Sequence, residues 1–338
     1  MDPISQASFG ASLSMSASDR STLTQALIIG ALAGMAPDLD IFINSNEDPL
    51  LFLEYHRQFT HSLFFIPVGA LICAIVLLPL FRMKCLKTKL SFAQVYLFSL
   101  LGYATHGMLD ACTSYGTQLL WPFSNERFAW NTVSIIDPLF TLPILFFITA
   151  AAYKKRVRPA RIAFVFAVIF LSLGILQHQR AERALHELAQ TRGHQVERLQ
   201  VKPSFANRHV WKLIYEYDGR YYVDAVKLLW QKEYFTGTSI QKLEVKRDFP
   251  WLPGDSQQAK DIERFRWFSD DFLAVSPADP NLIMDMRYSF LPNDIDAMWG
   301  IELDPYLVED GQLDKHVWYV MQRNMNEKTT QQFIEMLF

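Results

Sequence analysis

Cysteine is scarce in this chain of 338 residues. There are three, Cys73, Cys85 and Cys112, all within or beside apolar segments and none spaced C-x-x-C. Neither a disulfide framework nor a thiolate zinc site is expected from that count. A basic surface is missing too: 32 Lys+Arg against 35 Asp+Glu give a formal net charge of −3, which argues against nucleic-acid binding. The second half has no nucleophile motif, no Gly-rich phosphate loop and no repeat, and His-Glu-x-x-His occurs nowhere.

What charge there is lies unevenly along the chain. Residues 1–177 hold 12 Lys+Arg and 10 Asp+Glu, leaving 20 and 25 of the totals for residues 178–338. The split predicts an α-helical membrane domain over 1–177 and a soluble α+β domain over 178–338.

A transmembrane helix needs about 20 mostly apolar residues. Ser62–Phe81, Ser91–Leu109, Ile135–Tyr153 and Ala160–Gln177 each come near that length, so about four spans are expected. Asp137 and Pro138 open the third, where a helix start tolerates an acid and a proline. The N-terminal stretches Pro3–Ala17 and Ser21–Pro37 are shorter and are separated by Asp19-Arg20. Ala26, Gly30 and Gly34 form a small-residue stripe on the second, which favours close helix approach. The pair reads as a re-entrant helical hairpin. The competing reading, a signal peptide, lacks both a basic n-region and an A-x-A site.

Arg82, Lys84, Lys87 and Lys89 fill one connecting loop, and Lys154, Lys155, Arg156, Arg158 and Arg161 fill another. Both fall on one side of an alternating topology, which the positive-inside rule makes cytoplasmic. The C-terminal domain is therefore expected to be extracytoplasmic, or periplasmic in a Gram-negative cell.

The metal-competent residues of the first half gather at the opposite ends of these helices. Ionisable groups at a membrane boundary are costly, so a functional site is the default expectation there. His106 and Asp110 are spaced i,i+4, which stacks them on one helix face about 5–6 Å apart at Cβ. An imidazole with a carboxylate suits zinc, or manganese with more oxygen ligands; a helix-end His hydrogen-bonded to an Asp is the plainer alternative. His56 and His61 are i,i+5 and converge only if a turn separates them, with Thr60 or Ser62 available to cap the span that follows. Arg57 between them could neutralise an anionic substrate group; titratable histidines in an interfacial loop are the bland alternative. Asp38 and Asp40 follow Pro37 at a helix C-terminus, where an acid pair opposes the macrodipole and calls for a cation. Glu47 and Asp48 read as solvated loop carboxylates. Trp121-Pro122-Phe123, Phe128 and Trp130 read as an interfacial aromatic belt, with Asn125 and Arg127 placed to line a pocket mouth.

With these residues the chain resembles the membrane-bound metal-dependent hydrolase family of bacteria, also described as LexA-binding, inner-membrane-associated hydrolases. The matching pieces are Met1-Asp2-Pro3, Gly34…Pro37-Asp38-Leu39-Asp40, His56-Arg57…Thr60-His61-Ser62, Gly102-Tyr103…His106…Asp110…Thr113…Gly116 and Trp121-Pro122-Phe123. They cover roughly residues 1–180. Trp267-Phe268 and Asp285-Met286-Arg287-Tyr288 resemble, more weakly, the extracytoplasmic domain of some members. One departure stands out: Gln6 occupies the place of a family histidine, and an amide oxygen is a poorer zinc ligand than imidazole. The resemblance also extends to zinc-dependent phospholipase C, whose sites use His and Asp clusters.

In the second half, Ala181, Ala184, Leu185 and Leu188 share one stripe, so the last span is expected to continue as an amphipathic stalk that stops at Gly193. Val210–Tyr217, Asp218-Gly219 and Arg220–Trp230 predict a hairpin. Strands are expected over Arg264–Val275 and Leu282–Phe290, and a closing helix over Met325–Phe338. The functional expectation is a metal-dependent hydrolase at the outer membrane–water boundary. Asp38, Asp40, His56, His61, His106 and Asp110 would ligate one or two Zn²⁺ or another divalent ion, Arg57 would hold an anionic group, and a phospholipid or lipid-linked phosphate would be the substrate. The alternative is a non-catalytic protein with a structural metal and a partner-binding C-terminal domain. An intramembrane protease fits less well, because these ligands lie at the surface.

Overall fold

The computed structural model describes residues 1–82, 90–322 and 326–338. Lys84, Cys85, Lys87 and Lys89, and with them most of the first basic loop, lie outside the described residues. The fold has a helical N-terminal region and a C-terminal α+β domain with two antiparallel sheets. Two compact units are present, 1–42 with 55–176 and 205–208, and 43–54 with 177–204 and 209–338.

The first unit is built from α1 (Pro3–Ser16), α2 (Leu23–Met35), α4 (Ile66–Arg82), α5 (Phe92–Ala111), α6 (Pro138–Lys154) and the start of α7 (Val157–Thr191). Asp2 caps α1, Asp137 caps α6 with Pro138 at its first position, and Ser91 with Gln94 forms a capping box on α5. The glycines explain how α1, α2 and α5 come so close. A methyl group added at Gly102 would strike the Gly30 carbonyl, and one added at Gly10 would strike that same carbonyl and approach Gly34. The small-residue stripe thus forms a three-helix crossing that larger side chains would force apart.

Among the described residues, two helices are long and apolar enough to cross a membrane by length and composition, Leu23–Phe42 and Val157–Thr191. The first differs from the expected short arm. After Met35 the chain does not stop at Pro37 but continues as a 3-10 helix, Ala36–Phe42, which lengthens the apolar stretch. Leu51–His61 and Ile66–Phe81 qualify only as one span bent by 86°. The expected caps of α4 are absent. The Thr60 hydroxyl donates instead to Asp40, and Ser62 Oγ donates to the Trp121 carbonyl.

In the second unit, β1 (Arg198–Pro203), β2 (Val210–Tyr217), β3 (Arg220–Leu228) and β4 (Lys232–Gln241) form a meander. Asp218 and Gly219 both have positive φ, as a two-residue hairpin requires. Ala181, Ala184 and Leu185 of α7 are fully buried against Trp211, Leu213 and Val226 of this sheet. The second sheet, β5 (Leu273–Val275), β6 (Leu282–Asp285), β7 (Trp299–Glu302) and β8 (Trp318–Met321), packs Phe272, Leu282 and Met284 with Ile214, Tyr221 and Val223 of the first.

Two expected strands are corrected. Of Arg264–Val275 only Leu273–Val275 is strand; its first five residues end a helix, Gln257–Phe268, because Ser256 caps it and Ile262, Phe265 and Phe268 recur at helical spacing on its buried face. The strand at Leu282 ends at Asp285, where side-chain bonding to Arg287 takes over from the ladder. The closing helix runs over Glu327–Leu337, capped by Asn326.

Candidate metal centre

Four short segments meet at the residues singled out in the sequence. Asp38 and Asp40 come from the 3-10 helix Ala36–Phe42, and His56 follows the short helix α3 (Leu51–Tyr55). His61 ends the 3-10 turn Phe59–His61, and His106 and Asp110 sit in the last turns of α5. The turn needed between His56 and His61 is present: Arg57 adopts a left-handed φ of 66°, which brings the two rings to 5.8 Å between centroids. Gly107 matters beside it. A side chain there would strike the His61 carbonyl, so only glycine lets this turn lie against α5 next to His106.

Protonation follows from the partners. His106 Nδ1 lies 2.6 Å from the Gly34 carbonyl, which can only accept, so Nδ1 carries the proton and Nε2 is left with a lone pair. His61 Nδ1 faces Thr60 Oγ1 at 3.0 Å and Asp40 Oδ2 at 3.2 Å, which commits its proton in the same way. The two Nε2 atoms then face one another at 2.8 Å. A further proton on one of them, or a bound cation, meets that arrangement.

The carboxylates supply the rest. Asp38 Oδ1 is 3.4 Å from His61 Nε2 and 3.3 Å from His106 Nε2; Asp110 Oδ2 is 3.3 Å and 3.7 Å from the same atoms. Ligands bound at about 2.0–2.2 Å around one tetrahedral ion would be about 3.3–3.6 Å apart; the carboxylate–imidazole separations come near that, whereas the 2.8 Å between the two Nε2 atoms is shorter and has to open for an ion to be held. Asp38, His61, His106 and Asp110 can therefore hold a metal ion, and so can the smaller group Asp38, Asp40 and His56. Asp110 Oδ2 and Gln6 Oε1 are buried without a hydrogen-bond partner, which is costly unless something else occupies those lone pairs.

The surrounding groups hold the ligands in place. Asp40 is 3% exposed; its Oδ1 accepts from His56 at 2.7 Å, and its Oδ2 accepts from the Arg57 backbone N–H at 3.0 Å and the Thr60 hydroxyl at 2.7 Å. Gln6 Nε2 donates to Asp110 Oδ1 at 2.8 Å, and the Met1 amino group meets the same oxygen. Arg57 is buried, with Nη1 donating to Thr113 Oγ1 at 2.9 Å and Nε 3.0 Å from Asp110 Oδ2, an ion-pair contact without good hydrogen-bond alignment. Tyr115 lies against two guanidinium groups, 4.7 Å from Arg57 and 5.4 Å from Arg127. Arg127 donates to the Tyr115 and Gly116 carbonyls.

Sequence reasoning named the six metal-competent residues. It did not find that Gln6 and Thr113 hold Asp110 and Arg57, or that Gly107 admits the His61 turn. Only the position of Gln6 in place of a histidine gave a signal.

A helical membrane protein with a buried His/Asp cluster at its helix ends and an appended α+β domain is thus defined. Residues 1–181 match the model of the YdjM inner membrane protein family, and the chain belongs to that family. Its description places members in the inner membrane and assigns no reaction. Two relatives are similar in sequence. "Uncharacterized protein YfhP" of Bacillus subtilis (strain 168) is 26% identical over 196 residues, 56% of each chain. "Inner membrane protein YbcI" of Escherichia coli (strain K12) is 30% identical over 113 residues, 32% of this chain and 61% of that protein. The matches thus span just over half the length of each relative. No solved structure matches.

Proposed function

We propose that the protein is a metal-dependent hydrolase working at the membrane–water boundary on a phospholipid or lipid-linked phosphate. One observation carries the reading: the Nε2 atoms of two imidazoles, whose Nδ1 atoms are bonded elsewhere, converge with Asp38 and Asp110. Zn²⁺ suits this nitrogen and oxygen donor set. When bound, the ion supplies Lewis acidity and lowers the pKa of an attached water.

The protein groups have separate duties. His61, His106 and Asp110 are buried and fix the position of the charge, while the Asp38 side chain is 24% exposed and marks the side open to water and substrate. Asp40 orients His61 from behind, an arrangement that sets the tautomer of a ligating histidine. A second ion at Asp38, Asp40 and His56 would have to displace the 2.7 Å bond between Asp40 and His56, so one ion is favoured. Arg57 is occupied by Asp110 and Thr113; it positions Asp110 and balances its charge rather than gripping substrate.

The four-span topology belongs to this proposal, with α4, α5 and α6 crossing beside α7. Val68, Ile72, Ile75 and Val76 of α4 and Leu142 and Phe146 of α6 are exposed, an apolar surface suited to lipid. The basic loops lie in the cytoplasm and the C-terminal domain outside it.

A second reading, a purely structural ion, draws on the near-complete burial of three of the four donors. Both readings are tested on the full chain purified in detergent. Metal content is measured by mass spectrometry in the protein and in the His106→Ala, Asp110→Ala double variant, and phosphatidylglycerol cleavage is followed in mixed micelles. Loss of metal together with loss of cleavage supports the hydrolase. Metal lost without any cleavage to lose supports the structural ion, and unchanged metal content removes both.

A further inference from the structure

The turn joining β3 to β4 begins with two apolar residues that the domain leaves uncovered. Leu229 is half exposed and Trp230 wholly so. A lone exposed apolar residue is ordinary on a soluble surface. The place where this turn is fastened is not. Gln177 Nε2 donates to the Leu228 carbonyl at 3.2 Å, and Arg180 Nη2 donates to the Leu229 carbonyl at 2.7 Å. Arg180 Nη1 also donates to Gln177 Oε1 at 2.6 Å, so the two anchors on α7 form one clamp.

That clamp sits where α7 changes character. Up to Leu176 the helix carries exposed Leu173, Ile175 and Leu176; from Gln177 it reads Gln-His-Gln-Arg-Ala-Glu-Arg. In a membrane-spanning helix such a change marks the edge of the hydrocarbon. Tryptophan is enriched at that depth because its ring is apolar and its N–H is polar. The turn is thus held within one helical turn of the boundary and offers the residue type suited to it.

We propose that the β3–β4 turn is a lipid-contact site, with Leu229 and Trp230 seated among the headgroups and upper acyl chains of the membrane that α7 crosses. The partner is the bilayer itself, and the assignment does not depend on any metal or reaction at the His/Asp cluster. Its consequence is that the C-terminal domain is tied to the membrane at two places, by α7 and by this turn.

The test uses the full chain in vesicles of phosphatidylethanolamine and phosphatidylglycerol, with and without acyl chains brominated near the headgroup. The emission of Trp230 is the difference between the protein and its Trp230→Phe variant, after equal melting in detergent shows that both fold alike. The expected result is that brominated lipid removes this difference signal while aqueous iodide leaves it intact. A difference signal reached by iodide and indifferent to bromine places the turn in water and overturns the proposal. A signal indifferent to both places it under a second copy or another protein, and overturns it equally.

Discussion

Each unit of the molecule buries a cluster of charge, and the two clusters are finished differently. In the C-terminal unit Arg287 is held by both oxygens of Asp285, at 2.9 and 2.7 Å, and donates to the Phe268 carbonyl. Lys212 beside it donates to Ser289 Oγ and the Asp294 carbonyl. Asp285 and Arg287 satisfy each other there. In the membrane unit, by contrast, the Nε2 atoms of two imidazoles face each other, and an Asp110 oxygen and a Gln6 oxygen are left without hydrogen-bond partners. Burial of charge therefore does not by itself identify a functional site. A site is marked by acceptors that converge without enough protons among them, whereas a closed set of pairs is architecture.

The largest effect that would sharpen this contrast concerns retained metal. The His106→Ala, Asp110→Ala double variant should lose its bound divalent ion to background, while Asp285→Ala should keep it; elemental analysis that finds both stripped would erase the distinction. The next effect is on folding. Asp285→Ala leaves a buried guanidinium without its counter-ion and should lower stability by about 3–5 kcal/mol in denaturant titrations of the whole protein. Gly102→Ala comes third. It forces α5 away from Gly30 and should cost about 1–3 kcal/mol, read as a lowered Tm, with partial loss of metal because α5 carries two of the ligands.

The smallest effect is a pH dependence. Burial pushes the Lys212 ammonium down to about 7 from an ordinary value of 10.5. Between those values the unfolded chain binds the proton that the folded one has released, so stability rises with pH across that window. Lys212 contributes at most about 1.4 kcal/mol per pH unit to the slope, and Lys202, which burial also holds well below its ordinary value, adds to it. Melting curves at pH 7 and pH 9 should show the rise, and Lys212→Met should reduce it.

The residues of the cluster were legible because Asp and His are expensive at helix ends near lipid, and i,i+4 spacing placed two of them on one face. Their division of labour was not. That Asp40 orients His61, and that Arg57 is spent on Asp110, depends on which oxygen meets which nitrogen across segments distant in sequence. Gly107 could not be singled out because its role is an approach distance to a carbonyl some 46 positions earlier in the chain. The stalk stripe Ala181, Ala184 and Leu185 was readable from periodicity. The helix over Gln257–Phe268 was missed where mixed aromatic and charged residues left its period weak. Its Ser256 cap was the overlooked signal.

The continuity of α7 has a practical corollary. Its last turns roof the β1–β3 sheet, so a fragment begun at Arg198 would bare Trp211 and Val226 to solvent and clump, whereas one begun at Gln177 keeps its own cover. The C-terminal half should be isolated with that piece of helix attached.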